Sequence, residues 1–310
     1  MIKLKAAMAG LIFSAIAYAL PAVAQQADTV SAQTVVTVVP KGGEAPELQR
    51  QNLKVWADGK ESEVTSWQPL RGDRAWLELV VLIDDSARSS IGLQMNELAK
   101  FIQGLPPTTL VGVAYMQNGR AAFEQDLTAD HALAAKAIRL TNGIPGGNAS
   151  PYFCLSDLAK RWPSEDQKNR REVLMITDGV DRYNLRYDPD DPYMQASITD
   201  SQRAGIIVYS IYFRDTGRLD RSGYETNAGQ NLLTQVTQAT GGNLYWQGLS
   251  NPVSFQPYLQ DLSKRLENQY ELGFTARARS KPDLVQLKVK ADVSRVNVVA
   301  PQRVAVGAAQ

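Results

Sequence analysis

The stretch that decides the fold is Leu77-Glu78-Leu79-Val80-Val81-Leu82-Ile83, which runs directly into Asp84-Asp85-Ser86. Its near-continuous apolar character is typical of a β-strand that is covered on both faces. A second run, Val173-Leu174-Met175-Ile176, leads in the same way into Thr177-Asp178-Gly179. The two runs predict buried strands that both end in aspartate.

Helical patterns separate these strands. Apolar residues recur every three or four positions from Ile91 to Leu105, which is one face of a helix. Further helices are predicted over 130–140 and 151–162, and further strands over 110–116 and 206–213. The alternation of strand and helix predicts an α/β domain over residues 75–269, with a doubly wound, mostly parallel sheet.

The flanks of this domain, residues 25–74 and 270–310, are rich in β patterns. Leu53 to Trp56 runs into Ala57-Asp58-Gly59-Lys60, a strong hairpin signal, with Glu63 to Trp67 expected as the returning strand. Each end alone has too few strands to bury a face. We therefore expect the N- and C-terminal strands to form one small β-sandwich together.

The N-terminus predicts export. Lys3 and Lys5 precede a mostly apolar stretch, and Ala22-Val23-Ala24 offers a cleavage site, so residues 1–24 are predicted to be a signal peptide. The stretch is shorter than the roughly 20 residues of a spanning helix, so we expect a periplasmic or secreted protein, not an integral membrane protein.

The composition of the predicted mature chain excludes one class of partner. Loss of the two signal lysines leaves 31 basic against 32 acidic residues, so the net charge is about −1. There is no basic stripe of the kind that binds nucleic acid. Cys154 is the only cysteine, so no internal disulfide is expected.

The two strand ends predict a site. Ligands of doubly wound sheets bind outside the carboxyl ends of the strands, so Asp84 and Asp178 converge there if their strands are neighbours. Carboxylates together with the Ser86 hydroxyl are hard oxygen ligands that suit Mg²⁺ or Ca²⁺.

The order of elements, the Asp84-x-Ser86 motif and Thr177-Asp178-Gly179 resemble a von Willebrand factor A (VWFA) domain over roughly residues 76–268. The β flanks are similar to exported bacterial proteins in which this domain lies between two strand segments, and Ala57-Asp58-Gly59-Lys60 is similar to a turn of that subgroup. The resemblance implies a Rossmann-like fold and a metal-ion-dependent adhesion site.

That site in the family is Asp-x-Ser-x-Ser, a threonine on a second loop and an aspartate on a third. Asp84, Ser86 and Asp178 match this pattern, whereas Arg88 holds the second serine position and Asn148 the threonine position. The metal ligands implied are therefore Asp84, Ser86, Asn148 and Asp178.

Two interpretations of Arg88 stay open. If its guanidinium points into the site, it pairs with the carboxylates and replaces the ion. If it points to solvent, Ser89, Asp85 or water could complete a site for Mg²⁺ or Ca²⁺. The acids that follow, Asp181 and Asp188 to Asp191, are expected to be a solvated turn cluster.

The resemblance implies a non-enzymatic protein-interaction or adhesion module of the cell envelope, with a degenerate metal site. The partner would be an unidentified protein, bound through an acidic side chain that meets the metal or Arg88. Two alternatives are a structural envelope component with a vestigial site and a metal-dependent hydrolase that uses the two aspartates. The hydrolase lacks a recognisable base or nucleophile, since His131 is the only histidine and has no nucleophile signature near it.

Overall fold

The computed structural model describes residues 29–43, 46–144, 150–166, 168–184, 186, 188–214, 223–248 and 250–307. The predicted signal peptide and Asn148 lie outside these ranges. Among the described residues, no helix combines the length and the apolar character needed to cross a membrane.

The strands and helices follow the order that the sequence pattern predicts. The strands are β1 Thr29–Pro40, β2 Leu53–Ala57, β3 Lys60–Ser62, β4 Val64–Pro69, β5 Leu77–Asp84, β6 Thr109–Gln117, β7 Arg120–Thr128, β8 Arg170–Thr177, β9 Ile206–Tyr212, β10 Leu244–Tyr245, β11 Gln269–Arg277, β12 Asp283–Ala291, β13 Val296–Val299 and β14 Arg303–Val306. The helices are α1 Met95–Gln103, α2 His131–Lys136, α3 Pro151–Lys160, α4 Pro192–Arg203, α5 Tyr224–Thr240 and α6 Gln256–Glu267.

The central sheet has the strand order β10-β9-β8-β5-β6-β7. Strand β5 lies parallel to both β6 and β8, and only the edge strand β7 runs antiparallel to its neighbour. Every residue of β5 is buried, as its apolar run predicts. The mostly parallel α/β fold expected from the sequence is confirmed.

Helices cover both faces of this sheet. On one face, α1, α2 and α6 pack against the sheet through side chains such as Leu98, Ala134 and Leu262. On the other face, α3, α4 and α5 do so through side chains such as Leu155 and Leu233. The carboxyl ends of the parallel strands therefore open at one edge between two helical layers.

Two further four-stranded sheets form the β-sandwich. Their strand orders are β13-β1-β11-β4 and β14-β12-β2-β3, so each sheet takes strands from both ends of the chain. A third core, which includes Val36, Val55 and Phe274, lies between them. The expectation of one sandwich built from both termini is confirmed.

The predicted hairpin forms, but its returning strand is shorter than expected. Asp58 and Gly59 both have positive φ, 49° and 75°, as the tight turn requires. Only Lys60–Ser62 returns along β2, while Val64–Pro69 crosses to the other sheet and pairs with β11. The prediction of one strand over 63–67 beside β2 was wrong, because the chain turns a sandwich corner there.

Candidate functional site

The site lies where β5 and β8 end. These strands are neighbours in parallel register, with Ile83 opposite Ile176. Asp84 and Thr177 are therefore the last residues of adjacent strands, and Asp178 follows directly. The structure thus places both sequence-predicted aspartates at one edge of the sheet.

Asp84 is buried and held by hydroxyl groups. Its Oδ1 accepts hydrogen bonds from the backbone N–H of Ser86 at 2.9 Å and from the Ser86 hydroxyl at 2.6 Å. Its Oδ2 accepts one from the Thr177 hydroxyl at 2.8 Å. Burial raises the pKa of Asp84, while the hydrogen bonds from Ser86 and Thr177 and the charge of Arg182 oppose that rise.

Asp178 forms an ion pair that the sequence analysis did not anticipate. Its Oδ2 lies 3.1 Å from Nη2 of Arg182, four residues along the chain, and its Oδ1 accepts a hydrogen bond from the Val180 N–H. The Asp178 side chain is almost fully buried, whereas that of Arg182 is 25% exposed. Because the charge of Arg182 also lowers the pKa of Asp84, one guanidinium stabilises both carboxylates.

Two glycines allow the Asp178 turn to close against α5. Gly179 has a φ of 69°, and a Cβ there would lie 2.5 Å from Leu233 Cγ and 2.6 Å from the Gly229 carbonyl oxygen. A Cβ on Gly229 would lie 2.1 Å from the Asp178 carbonyl oxygen. Thr177-Asp178-Gly179 is therefore fixed by backbone contact with a helix as well as by its own hydrogen bonds.

Asp85 turns to a different set of partners. Arg139 binds it with two nitrogens, at 2.8 and 3.2 Å, and Gln117 and Asn142 donate further hydrogen bonds. Burial alone would raise the pKa of Asp85, but these hydrogen bonds hold it below its ordinary value. The Asp85 side chain therefore fastens the segment after α2 to the end of β5.

The remaining predicted site residues lie at the rim. Arg88 and Ser89 are exposed, at the start of a short 3-10 turn over Ser89–Leu93. Asn148, the predicted counterpart of the family's threonine, lies outside the described residues, so its role stays a prediction.

The acids after Asp178 do not form one solvated cluster. Asp181 is buried and accepts hydrogen bonds from the Ser150 hydroxyl and the Tyr183 N–H, and burial raises its pKa. Asp191 is also buried and caps α4. Only Asp188 and Asp190 are exposed, as expected. Hydrogen bonds hold Asp181 and Asp191 in the interior, and the composition of the loop does not reveal these bonds.

The described donors fit a divalent cation poorly. Both oxygens of Asp84 already accept hydrogen bonds, and Asp178 already has a cationic partner in Arg182. Among the described residues, no three Asp, Glu, His or Cys side chains are grouped as metal ligands. A cation here would have to displace Arg182 or compete with its charge.

Four large apolar side chains near the end of β5 are exposed to solvent. We call Leu93, Leu140, Ile144 and Val253 the apolar rim; they are 80%, 63%, 65% and 89% exposed. Leu140 lies against Gly92, since a Cβ on that glycine would be 2.6 Å from Leu140 Cδ2. The Val253 carbonyl accepts a hydrogen bond from Gln94 at 3.1 Å. The backbone N–H of Gly143, the neighbour of Ile144, donates to the Asp85 carbonyl at 3.2 Å. All four residues therefore lie on segments next to Arg88.

Comparison with solved structures finds several proteins that are similar to this chain over part or most of its length. The chain is similar to BatB from Bacteroides thetaiotaomicron, with 13% identity, a TM-score of 0.44, and coverage of 61% of this chain and 97% of that one. It is also similar to the SpRpn10 VWA domain, with 14% identity, a TM-score of 0.40, and coverage of 60% and 95%.

A third similar structure is the ArnB paralog VWA2 from Sulfolobus acidocaldarius, with 10% identity, a TM-score of 0.40, and coverage of 91% and 76%. No family model matches the sequence, and no curated protein matches it. Similarities at these identities and TM-scores carry no argument about the site, so its function is argued from its own residues.

Proposed function

We propose that this protein is an exported protein-interaction module of the cell envelope, and that its partner docks on the strand-end edge that carries Asp84, Asp178 and Arg182. The observation that carries the proposal is the apolar rim around this edge. Monomeric proteins rarely expose contiguous apolar side chains unless these serve an interface.

Charge gives the partner its chemistry. Arg88 is exposed at the rim and Arg182 is partly accessible at its centre. A guanidinium binds a carboxylate through two parallel hydrogen bonds. A partner that presents an Asp or Glu side chain within an apolar surface would match both features.

The interaction needs no divalent cation in this proposal. In the family mechanism, a partner carboxylate completes the coordination of a metal ion. Here Arg182 already supplies a positive charge beside Asp178, so the site is a degenerate version of the family site. Binding would rest on arginines and apolar contact.

The test is a capture experiment from an envelope extract, with the mature protein as bait, in the presence and absence of a chelator. We expect the captured partner to persist in chelator. Arg88→Ala and Leu93→Ser should each weaken its recovery about tenfold or more, as loss of a residue that carries much of the binding energy does. Arg277→Ala, at an exposed arginine at the end of the sandwich strand β11, is the matched control and should bind as wild type.

Two outcomes would reject the proposal. Loss of binding in chelator would show that a metal is required. Equal recovery of the partner with Arg88→Ala, Leu93→Ser and wild type would show that the interface lies elsewhere on the protein. Export is tested separately by N-terminal sequencing of protein from the periplasmic or extracellular fraction, which should begin at Gln25.

A further inference from the structure

A cavity of about 330 Å³ lies at the opposite edge of the central sheet, where β8 and β9 begin. Its walls come from the segment before β8, the end of α4, and strands β1, β11 and β14 of the sandwich. Its volume falls at the lower end of the roughly 300–1,000 Å³ typical of small-molecule pockets. We call it the basic cavity.

The wall of the basic cavity is cationic. Among the described residues, one carboxylate, that of Glu271, faces six basic side chains: Arg74, Lys168, Arg170, Arg171, Arg203 and Arg303. Arg171 is partly offset by Glu78, whose carboxylate lies 3.7 Å from its Nε. Four of the others form no ion pair with any residue in the described ranges: Arg74, Lys168, Arg203 and Arg303.

Buried polar atoms of the same wall lack hydrogen-bond partners. Arg170 uses its other nitrogens to bind the carbonyls of Leu266 and Ala75, but its buried Nε has no acceptor among the described residues. Gln202 donates to the Ala239 carbonyl, while its buried Oε1 has no donor within the same ranges. Buried groups of this kind are rare in folded proteins and call for an explanation.

The carbonyl end of α4 opposes this positive charge only weakly. Gln202 to Gly205 line the cavity at that end. A helix C-terminus carries about half a negative charge. The unpaired basic side chains outweigh it, so the field in the cavity favours an anion.

We propose that the basic cavity binds a small, multiply charged oxyanion, a compact molecule that carries phosphate or carboxylate groups. Guanidinium groups bind both kinds of oxyanion through paired hydrogen bonds. This site is independent of the strand-end edge around Asp84, because none of its lining residues belongs to that edge.

The test uses pyrophosphate and citrate as probes, which separates phosphate from carboxylate chemistry. Titration calorimetry on the mature protein at low salt should show saturable binding of at least one probe at millimolar concentration or below. Raising the salt concentration to about 0.5 M should weaken binding, because dissolved ions screen the attraction between the anion and the basic side chains.

Variants locate the binding. Arg203→Gln combined with Arg303→Gln should lower affinity about tenfold or more, since each substitution removes a charge-assisted hydrogen bond. Lys168→Gln should also lower the affinity. Because Lys168 is exposed, this variant tests the proposal even if the double variant fails to fold. Arg120→Gln, remote on β7, should leave binding unchanged.

Binding of only one probe would support the proposal and name the ligand's class. Absence of saturable binding of both probes would overturn it. It would equally be overturned if Lys168→Gln and the double variant bound as tightly as Arg120→Gln.

Discussion

At the residue scale, Arg182 sets the charge of the aspartate site. Asp84 and Asp178 would otherwise bring two negative charges to one strand edge. Opposite unit charges 4 Å apart attract by about 4 kcal/mol at an effective dielectric constant of 20, and Arg182 lies 3.1 Å from Asp178. Much of this is offset by desolvation. Arg182 nevertheless provides the positive charge that a metal ion would otherwise provide.

This chemistry predicts how the protein responds to divalent cations. Millimolar Mg²⁺ or Ca²⁺ should leave the melting temperature of the wild-type protein unchanged, because Arg182 competes with the ion. Arg182→Ser should be less stable by about 1–3 kcal/mol, since it leaves a buried carboxylate without its partner. Added Mg²⁺ or Ca²⁺ should then recover part of that loss, as a ligand of the folded state does.

The measurement is a thermal melt of both proteins with chelator and with each cation. Arg88→Ser is the informative second variant, because the same substitution restores the family's serine without breaking the Asp178–Arg182 pair. A cation-dependent rise in the melting temperature of the wild-type protein would show that the metal binds despite Arg182.

The sequence predicts part of this site and misses another part. Asp84 and Asp178 stand out because each follows a buried apolar run, and the strand ends meet at one edge of the sheet. Arg182 follows Asp178 by four residues, and that spacing was the available signal. A loop, unlike a helix, does not convert such a spacing into a contact, so the sequence could not choose between Arg182 and Arg88.

At the element scale, the Thr177-Asp178-Gly179 turn depends on its contact with α5. Gly179→Ala would meet two obstacles, a positive φ and atoms of Leu233 and Gly229 within 2.6 Å of the new Cβ. Gly205→Ala is a matched control, because Gly205 has nearly the same φ, 68°, and no atom within 4 Å of an added Cβ. We expect Gly205→Ala to cost about 1 kcal/mol and Gly179→Ala about 3 kcal/mol or more.

Urea unfolding of the two variants beside wild type measures the difference. The excess loss in Gly179→Ala reports the packing of the turn against α5, since the φ penalty is common to both. Equal losses would mean that α5 yields to the methyl group, and that the turn is not held by this contact.

The end of helix α2 could not be predicted from the periodicity of the sequence. The sequence predicts a helix over 130–140, whereas α2 ends at Lys136. Beyond it, the backbone N–H of Arg139 donates to the Tyr115 hydroxyl at 2.7 Å, and the guanidinium reaches Asp85. These contacts link distant parts of the chain and draw the segment out of the helix, so a local pattern cannot reveal them.

At the scale of the whole molecule, the joint β-sandwich follows from counting strands. Neither end of the chain can bury a sheet face alone, and that argument predicts the pairing of β1 with β11. The sequence could not predict that β4 crosses to the sheet opposite β2. That choice depends on side-chain packing, such as the stacking of Trp67 on Tyr270 with ring centroids 4.4 Å apart.

The junction between the sandwich and the central sheet contains a buried acid. Glu172 of β8 is fully buried, and neither carboxyl oxygen has a well-formed hydrogen bond among the described residues. Burial raises its pKa to about 7, although Arg170 and Gln269 oppose the rise. Arg170 in turn binds Gln269, the first residue of β11, so this acid lies beside the contact that joins the two domains.

The raised pKa makes stability depend on pH in a defined direction. The ordinary pKa of this acid is 4.5, so between pH 4.5 and 7 the folded protein holds a proton that the unfolded chain has lost. The stability linked to Glu172 is therefore complete below pH 4.5 and is lost as the pH rises through 7. From pH 5 to pH 8 we expect a loss of about 2–3 kcal/mol, at 1.4 kcal/mol per pKa unit.

Glu172→Gln isolates this contribution, because glutamine keeps the shape and does not titrate. The free energy of unfolding of wild type minus that of the variant should fall by this amount between the two pH values. Asp84 and Asp181, whose pKa values are also raised by burial, contribute equally to both proteins and cancel. Parallel pH profiles of the two proteins would mean that Glu172 keeps its ordinary pKa, and that the junction holds a charged rather than a neutral acid.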